Sequence, residues 1–229
     1  MHHDSSPRIA LIHALSHSMA PINAQLQRDW PEAVCANLLD DRLSADLAQY
    51  GQGLDAAMHQ RFHTLANYAL GQGAQAILFT CSAFGPCIEA VAQQHPQLPV
   101  LKPNEAMVAD ATRLLASQAG GKLGLLATFK PTLESMPPEF PADMPLHLHW
   151  VEGALDALNA GDADRHDALI AQAAQQAAAA GCTAIALAQF SMARAQDLAA
   201  QQSQLPVLTT PASAVAALKA RLNAGVQSC

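Results

Sequence analysis

The chain has 229 residues, of which 51% are hydrophobic and 14% are charged, and its formal net charge at pH 7 is −7. This acidic balance, with no run of Lys or Arg to neutralise phosphates, argues against a protein that binds nucleic acid. No apolar run reaches the roughly 20 residues that a membrane-spanning helix needs, so we expect no membrane partner. The first residues lack the apolar segment of a signal peptide, which predicts a cytoplasmic protein.

Eight short apolar runs predict β-strands, and longer stretches rich in Ala, Gln and Leu predict the helices between them. The strands show little alternation of polar and apolar residues, which is typical of a parallel sheet covered by helices on both faces. In chain order the strands are predicted at 9–14, 34–39, 76–80, 100–102, 123–128, 147–151, 184–188 and 207–208. The helices are predicted at 21–28, 53–71, 86–95, 104–119, 164–180, 193–201 and 211–224.

The chain also contains an internal duplication. Three pairs of segments match in the same order and at similar offsets: 73–84 with 181–192, 97–101 with 204–208, and 8–14 with 122–128. The first pair aligns Cys81 with Gln189, at an offset of 189 − 81 = 108 residues. We therefore predict an α/β protein of two pseudo-symmetric lobes, 7–103 and 104–208, each a doubly wound parallel sheet. A ligand site is expected in the cleft between the two lobes.

The five cysteines are expected to be reduced thiols. Their number is odd and no CxxC spacing occurs, which argues against a disulfide framework and against a structural zinc site. The sequence also has no GxGxxG or GxxxxGK[ST] motif, so a bound nucleotide is not expected. We predict no metal and no cofactor.

Cys81 is the strongest candidate for chemistry. It lies between a predicted strand and a predicted helix, with hydroxyl donors Thr80 and Ser82 on either side. Free backbone N–H groups at a helix N-terminus attract anions and favour a thiolate over a thiol, so Cys81 could act as a base or nucleophile. The alternative is a buried cysteine that packs as a small hydrophobic residue.

Other polar residues follow the first two strands. His13 ends the first strand and Ser16 and His17 follow it, so these residues could border a site and exchange protons. Hydrogen-bonded loop histidines are the alternative. Asp40 and Asp41 follow the second strand and could form either a solvated turn or a pair that binds a substrate ammonium group.

An apolar strand ending in Thr-Cys-Ser, duplicated about a hundred residues later, resembles the aspartate/glutamate/hydantoin racemase superfamily. That superfamily also includes maleate isomerases and arylmalonate decarboxylases, and the resemblance covers residues 9–222. It implies a cofactor-independent enzyme whose site lies between two lobes, with Cys81 as the first-lobe catalytic cysteine. It further implies that Ser82, Thr128 and Thr132 help to hold a substrate carboxylate, and that a C-terminal helix at 209–229 completes the first lobe. For the two threonines, a strand end and a helix N-cap are equally plain interpretations.

The chain departs from the racemase pattern at Gln189, where a racemase of this superfamily has its second cysteine. Two-base racemisation needs one group to remove a proton and a second group to return it on the opposite face. A glutamine amide cannot do this at neutral pH, although it can donate hydrogen bonds to a carboxylate or an enolate. Arylmalonate decarboxylases also use a single cysteine, but theirs lies in the second lobe.

Two classes of function remain open at this point. The first is a cofactor-independent isomerase, racemase or decarboxylase that acts at the carbon next to a carboxylate, with Cys81 as the thiol. The second is a protein that binds a small carboxylate without catalysis. A homodimer is one option for either class.

Overall fold

The computed structural model describes residues 6–50, 54–118 and 120–227. Residue 53, which begins one predicted helix, residue 119, which ends another, and Cys229 lie outside the described ranges. The chain divides into two compact units, one that runs to Pro103 and resumes at Ala214, and a second at Asn104–Ser213. No helix within the described ranges is long and apolar enough to cross a lipid bilayer.

Unit 1 is built on a four-stranded parallel sheet. Its strands are β1 (Arg8–His13), β2 (Val34–Leu39), β3 (Ala76–Phe79) and β4 (Val100–Leu101). The strand order is β2-β1-β3-β4, so β1 is hydrogen-bonded on both sides. In the register, Ile9 lies opposite Cys35 of β2 and Ala76 of β3. Five of the six residues of β1 are buried, as expected for a central strand covered on both faces.

The helices of unit 1 are α1 (Met19–Asp29), α2 (Leu43–Tyr50), α3 (Ala56–Gly71) and α4 (Gly85–Gln94). The side chain of Asp55 caps α3 by accepting a hydrogen bond of 2.8 Å from the Met58 N–H group. Pro86 lies in the first turn of α4, where the missing N–H group costs nothing, and this agrees with its predicted place. Short 3₁₀ turns at Ser16–Ser18 and Ser82–Phe84 precede α1 and α4.

Unit 2 repeats this plan. Its strands are β5 (Leu123–Ala127), β6 (Leu146–Trp150), β7 (Ala184–Leu187) and β8 (Val207–Thr209), in the parallel order β6-β5-β7-β8. Its helices are α5 (Glu105–Ala116), α6 (Thr132–Ser135), α7 (Ala154–Asn159), α8 (Ala163–Ala179) and α9 (Gln196–Ser203). The last helix, α10 (Thr210–Gln227), begins in unit 2 and continues in unit 1.

The two sheets have equivalent strand orders, and this confirms the predicted fold class of two doubly wound parallel sheets. All eight predicted strands are present. The sequence reasoning missed α2, α6 and α7, because such short helices lack the long run of periodic residues that signals a helix. A helix predicted at 193–201 is a 3₁₀ segment, Phe190–Ala195, followed by α9.

Each sheet is covered by apolar side chains with few aromatic residues. In unit 1 the largest cluster is centred on Phe62, whose ring lies 5.2 Å from that of Phe79 and 5.0 Å from that of Phe84, centroid to centroid. These spacings lie within the favourable range for aromatic pairs. Phe79 ends β3 and Phe84 ends the 3₁₀ turn after it, so the cluster anchors both sides of the segment that contains Cys81.

In unit 2, Gly124 allows α8 to approach the sheet closely. A Cβ atom at this position would lie 2.9 Å from Cδ1 of Ile185 and 3.1 Å from Cβ of Ala177. Ala177 is fully buried on α8, and its methyl group cannot move unless the helix moves. The structure therefore needs a residue without a side chain in the middle of β5.

We predict that Gly124→Ala lowers the free energy of unfolding by about 1–3 kcal/mol, because the added methyl group overpacks the β5–α8 contact. Urea denaturation followed by circular dichroism measures this change. The matched control is Gly71→Ala at the end of α3, where a Cβ atom would meet nothing within 4 Å. An equal loss in both variants would contradict the assignment.

Candidate active site

Cys81 is the first residue beyond the end of the unit 1 sheet at β3. The Thr80 N–H group still donates to the carbonyl of Ile12 in β1, at 3.0 Å, and this is the last bond between these two strands. Cys81 has an extended backbone, with φ −127° and ψ 119°, and immediately precedes the 3₁₀ turn that leads into α4. The carboxyl end of a parallel sheet is where α/β proteins bind ligands, so the predicted placement of Cys81 agrees with the structure.

The side chain of Cys81 borders a narrow apolar recess. The other residues that line it come from β1, β3, α2, α3 and the turn before α4: Ile12, His13, Ala14, Leu43, Phe62, Phe79 and Phe84. The recess has no room for a water molecule, and Leu43 is 1% exposed. Cys81 is half-buried, and its side chain packs against this apolar cluster.

Burial raises the pKa of the Cys81 thiol, while hydrogen bonds with the backbone of Ala83 and the hydroxyl of Ser44 lower it less. The sequence expectation that a helix N-terminus makes Cys81 a ready thiolate is therefore wrong. The loss of hydration outweighs the local N–H groups, because the side chain packs against the apolar residues of the recess. Cys81 is a protonated thiol near neutral pH and can serve as a proton donor.

His13 is fully buried and is hydrogen-bonded at both ring nitrogens. Its Nδ1 lies 2.9 Å from the hydroxyl of Thr80, and its Nε2 lies 2.9 Å from the side-chain oxygen of Asn37. An amide oxygen only accepts, so Nε2 carries the proton, and Thr80 donates to Nδ1. Burial lowers the pKa of His13, although the bond to Asn37 raises it in part. His13 is therefore a neutral side chain held in one orientation, and the hydroxyl of Thr80 is used in its hydrogen bond to His13.

Asn37 was missed by the sequence reasoning. Its amide forms a reciprocal pair with Asn23 of α1, with both N···O distances at 3.2 Å. The network therefore joins α1 and β2 to His13 and Thr80, next to Cys81. A signal was present, because Asn37 is the single amide in the otherwise apolar run of β2.

Three more of the predicted residues lie at the same edge of the sheet. Ser16 and His17 are exposed in the 3₁₀ turn that follows β1, and Ser82 is half-buried beside Cys81. Ser82 is the nearest of the three in the chain to the thiol. Its hydroxyl is a donor that could reach an anion, whereas the backbone of Ala83 in the same turn already interacts with Cys81.

Asp40 is not free to bind a substrate ammonium group. Its two carboxylate oxygens accept hydrogen bonds from Arg61 of α3, at 2.6 Å from Nε and 2.5 Å from Nη2. Asp40 therefore does not form a pair with Asp41 that binds a substrate ammonium group. The charge of Asp40 is already matched within unit 1.

In unit 2, Gln189 occupies the position equivalent to Cys81. It follows β7, has an extended backbone with φ −133° and ψ 146°, and precedes the 3₁₀ segment before α9. Its side-chain oxygen accepts three hydrogen bonds, from the Thr128 N–H at 2.7 Å, the Thr128 hydroxyl at 2.9 Å and the Phe129 N–H at 3.2 Å. These three donors are therefore engaged by Gln189, whose side-chain NH₂ group is the donor that it can offer to a carboxylate.

The loop that supplies these donors is held in place at several points. Trp150 Nε1 donates to the carbonyl of Thr128 at 3.3 Å, and Lys130 lies over the Trp150 ring at 5.5 Å. Thr132 begins α6 and is buried. Thr128 and Thr132 are thus brought into one loop, and Thr128 is the member that contacts Gln189.

The described cysteines Cys35, Cys81, Cys87 and Cys182 are free thiols. Within residues 6–50, 54–118 and 120–227, no group of three or more His, Cys, Asp or Glu side chains could hold a metal ion.

We predict that Gln189→Met lowers the free energy of unfolding by about 1–3 kcal/mol, because the donors of Thr128 and Phe129 lose their acceptor. Gln189→Glu is the matched control and keeps the acceptor. The three donors favour the charged carboxylate and should lower the pKa of the introduced group. Its contribution to stability is therefore present at neutral pH and is lost in acid. Urea denaturation at pH 7 and pH 4 measures both effects, and a stable Gln189→Met variant would contradict the assignment.

A second prediction concerns the pH dependence of stability. The pKa of His13 is lower in the folded chain than its ordinary value of 6.5, so the unfolded chain binds the proton more tightly. The contribution of neutral His13 is therefore complete above about pH 6.5 and is lost as the pH falls toward the folded pKa.

We expect His13→Gln to lose less stability than the wild type between pH 7.5 and pH 5.5, as measured by urea denaturation. His17→Gln, at an exposed position of the following turn, is the matched control and should keep the wild-type dependence. The same pH dependence in all three proteins would contradict a buried neutral His13.

No protein-family model and no curated protein sequence matches this chain. Solved structures do match it. A glutamate racemase from Bacillus anthracis is 14% identical, with a TM-score of 0.67 over 96% of this chain and 82% of that one. An allantoin racemase from Klebsiella pneumoniae is 15% identical, with a TM-score of 0.65 over 96% and 89% of the two chains.

An unliganded arylmalonate decarboxylase is 15% identical, with a TM-score of 0.59 over 96% of this chain and 92% of that one. At these identities the likeness concerns the fold. The chain therefore has the α/β fold of these two racemases and of the decarboxylase, and the resemblance seen in the sequence is confirmed at the level of the fold.

Proposed function

We propose that this chain is a cofactor-independent enzyme that acts at the carbon next to a carboxylate of a small acid, with Cys81 as its thiol. The single observation that carries this proposal is the position of Cys81, at the carboxyl end of a central strand and at the start of the segment leading into a helix. The fold shared with solved racemases and a decarboxylase supports the reaction class. Membership of the superfamily by descent is part of the proposal.

The chemistry of Cys81 favours proton donation. A thiol whose pKa is raised by burial holds its proton at neutral pH and can deliver it to a carbanion or enolate carbon. The carboxylate of the substrate would be held by the Ser82 hydroxyl, where negative charge develops during the reaction. Thr80 and His13 would act indirectly, because each already uses its polar atoms in the buried network.

Gln189 cannot serve as a second base. Its oxygen accepts three hydrogen bonds, and an amide does not exchange protons at neutral pH. The role proposed for Gln189 is therefore to donate hydrogen bonds from its NH₂ group to a carboxylate, while Thr128 orients its oxygen. Thr132, in the same loop, is proposed as a further donor. A reaction that adds or removes a proton on one face of the substrate fits this set of groups better than racemisation of free aspartate or glutamate.

A decarboxylase is the second candidate, and the raised pKa of Cys81 favours it. In such a reaction the bond from the α-carbon to one carboxyl group breaks, carbon dioxide leaves, and the electron pair remains as an enediolate. The Cys81 thiol then gives its proton to the α-carbon, and water restores the thiol. A non-catalytic carboxylate-binding protein is the remaining alternative. A homodimer and a cytoplasmic location also stay proposals.

We predict that the protein catalyses either exchange of α-protons in D₂O or decarboxylation of 2-substituted malonates, and that Cys81→Ser reduces the rate by at least about 100-fold. The reason is that a hydroxyl is a much weaker acid than a thiol. Proton NMR of a panel of small carboxylic acids measures exchange, and a pH indicator measures release of carbon dioxide.

Cys35→Ser is the matched control. Cys35 lies near the amino end of β2, away from the carboxyl edge of the sheet where Cys81 lies, so this variant should keep full activity. If acids bind by calorimetry but neither reaction occurs, the protein is a carboxylate-binding protein. Efficient racemisation of aspartate or glutamate would show that another group acts as the second base.

A further inference from the structure

An arginine in unit 1 joins two separate carboxylates next to the recess of Cys81. Besides its two bonds to Asp40, Arg61 donates through Nη1 to Asp46 at 2.7 Å. Arg42 donates to the other oxygen of Asp46 at 2.8 Å. We call these four residues the Arg61 cluster. The side chains of Asp40 and Asp46 are 17% and 18% exposed and that of Arg61 is 32% exposed, so the cluster lies at a half-buried surface where water screens it in part.

The cluster links the edge of the sheet to helix α2. Asp40 directly follows β2, and its N–H group donates to the carbonyl of His13 at 3.0 Å, which places it beside the end of β1. Asp46 lies within α2, and Arg61 lies within α3. Arg61 therefore holds α2 against the carboxyl edge of the sheet by a charged contact at each end.

The helix held in this way carries two residues that act on Cys81. Leu43, the first residue of α2, is buried in the recess that the thiol borders. The hydroxyl of Ser44, the next residue, lowers the pKa of Cys81 and so favours its charged form. One residue limits the access of water to the sulfur, and the other stabilises its charged form.

We infer that Arg61 is a positioning residue for Cys81, because it connects Asp40 to Asp46 and so keeps the start of α2 in place, with Leu43 in the recess that Cys81 borders. This inference rests on the proposed function only in taking Cys81 as the functional thiol. Arg61 itself touches neither the recess nor the sulfur.

The geometry needs an arginine. A planar guanidinium with five N–H donors binds both oxygens of Asp40 and still reaches Asp46, whereas a lysine ammonium is a single point of charge. Arg61 is also charged at every pH at which the protein folds. The hydrogen bond from Arg61 is the main cause that lowers the pKa of Asp46, so the contact persists well below neutral pH.

Two effects on the thiol oppose each other, and they can be separated. Burial by the recess is the larger effect on the pKa of Cys81 and raises it, and the bond with Ser44 lowers it. Releasing α2 removes Leu43 and Ser44 together, so the loss of burial prevails and the pKa falls. Removing only the Ser44 hydroxyl leaves the burial in place, so the pKa rises.

The test is the rate of alkylation of each thiol by iodoacetamide in the full-length protein, followed by mass spectrometry of peptides between pH 6 and pH 10. We expect Arg61→Met to speed the labelling of Cys81 by at least about tenfold at pH 7 and to lower the pH of its midpoint. Ser44→Ala should slow the labelling and raise the midpoint. Arg61→Lys should lie between Arg61→Met and the wild type.

Cys87 is the internal reference for general unfolding. It is buried in α4, and burial raises its pKa to about 11, so it reacts only when unit 1 opens as a whole. Arg28→Met is the matched control, because it removes an exposed ion pair with Asp29 elsewhere in unit 1 and should change neither thiol.

An unchanged rate at Cys81 in Arg61→Met would overturn the inference, and so would an equal acceleration at Cys81 and Cys87. A midpoint that moves in the same direction in Arg61→Met and Ser44→Ala would also overturn it. These readouts need no substrate. If the proposed reaction is not observed, the labelling result is unaffected. If Arg61 proves not to position Cys81, the activity of Cys81 is still tested by Cys81→Ser.

Discussion

Both candidate positions depend on the hydrogen bonding of a central parallel strand to its two neighbours. In unit 1 the last bond from β3 to β1 is made by Thr80, and in unit 2 the last bond from β7 to β5 is made by Ala188. The next residue in each unit is released from the sheet, and it is Cys81 in one and Gln189 in the other. A side chain at this position lies next to the residues that follow β1 in unit 1 or β5 in unit 2, so those neighbours decide its chemistry.

The two units give that position opposite surroundings. In unit 1 the residue that follows β1 is Ala14, and the side chain of Cys81, at the end of the neighbouring strand β3, meets an apolar recess. The equivalent residue in unit 2 is Thr128, which offers an N–H group and a hydroxyl to the oxygen of Gln189. A sulfur atom that does not need a partner suits the first environment, and an amide that must be hydrogen-bonded suits the second. The duplication has therefore kept the backbone while the chemistry has diverged.

Polar groups around Cys81 are arranged so that few of them remain free to act on their own. His13, Thr80, Asn37 and Asn23 satisfy one another in a single network, and Asp40 is neutralised by Arg61. Buried polar groups left without partners would cost stability, and these contacts remove that cost. As a result, the thiol is the group near the recess with a transferable proton, while its polar neighbours orient the elements that surround it.

Local patterns along the chain were enough to predict the fold class, all eight strands and the equivalence of Cys81 with Gln189. These depend on local apolar runs and on a repeated pattern, which can be counted along the chain. The sequence did not determine the protonation of Cys81, for which local reasoning from the helix N-terminus gave the wrong direction. Burial by residues from β1, α2 and α3 decides that property, and those residues are distant in the chain. The contacts of Arg61 with Asp40 and Asp46 were likewise hidden, because they join residues 21 and 15 positions apart. Only tertiary structure decides such contacts, because the energy of a charge or a thiol depends on which atoms surround it in space.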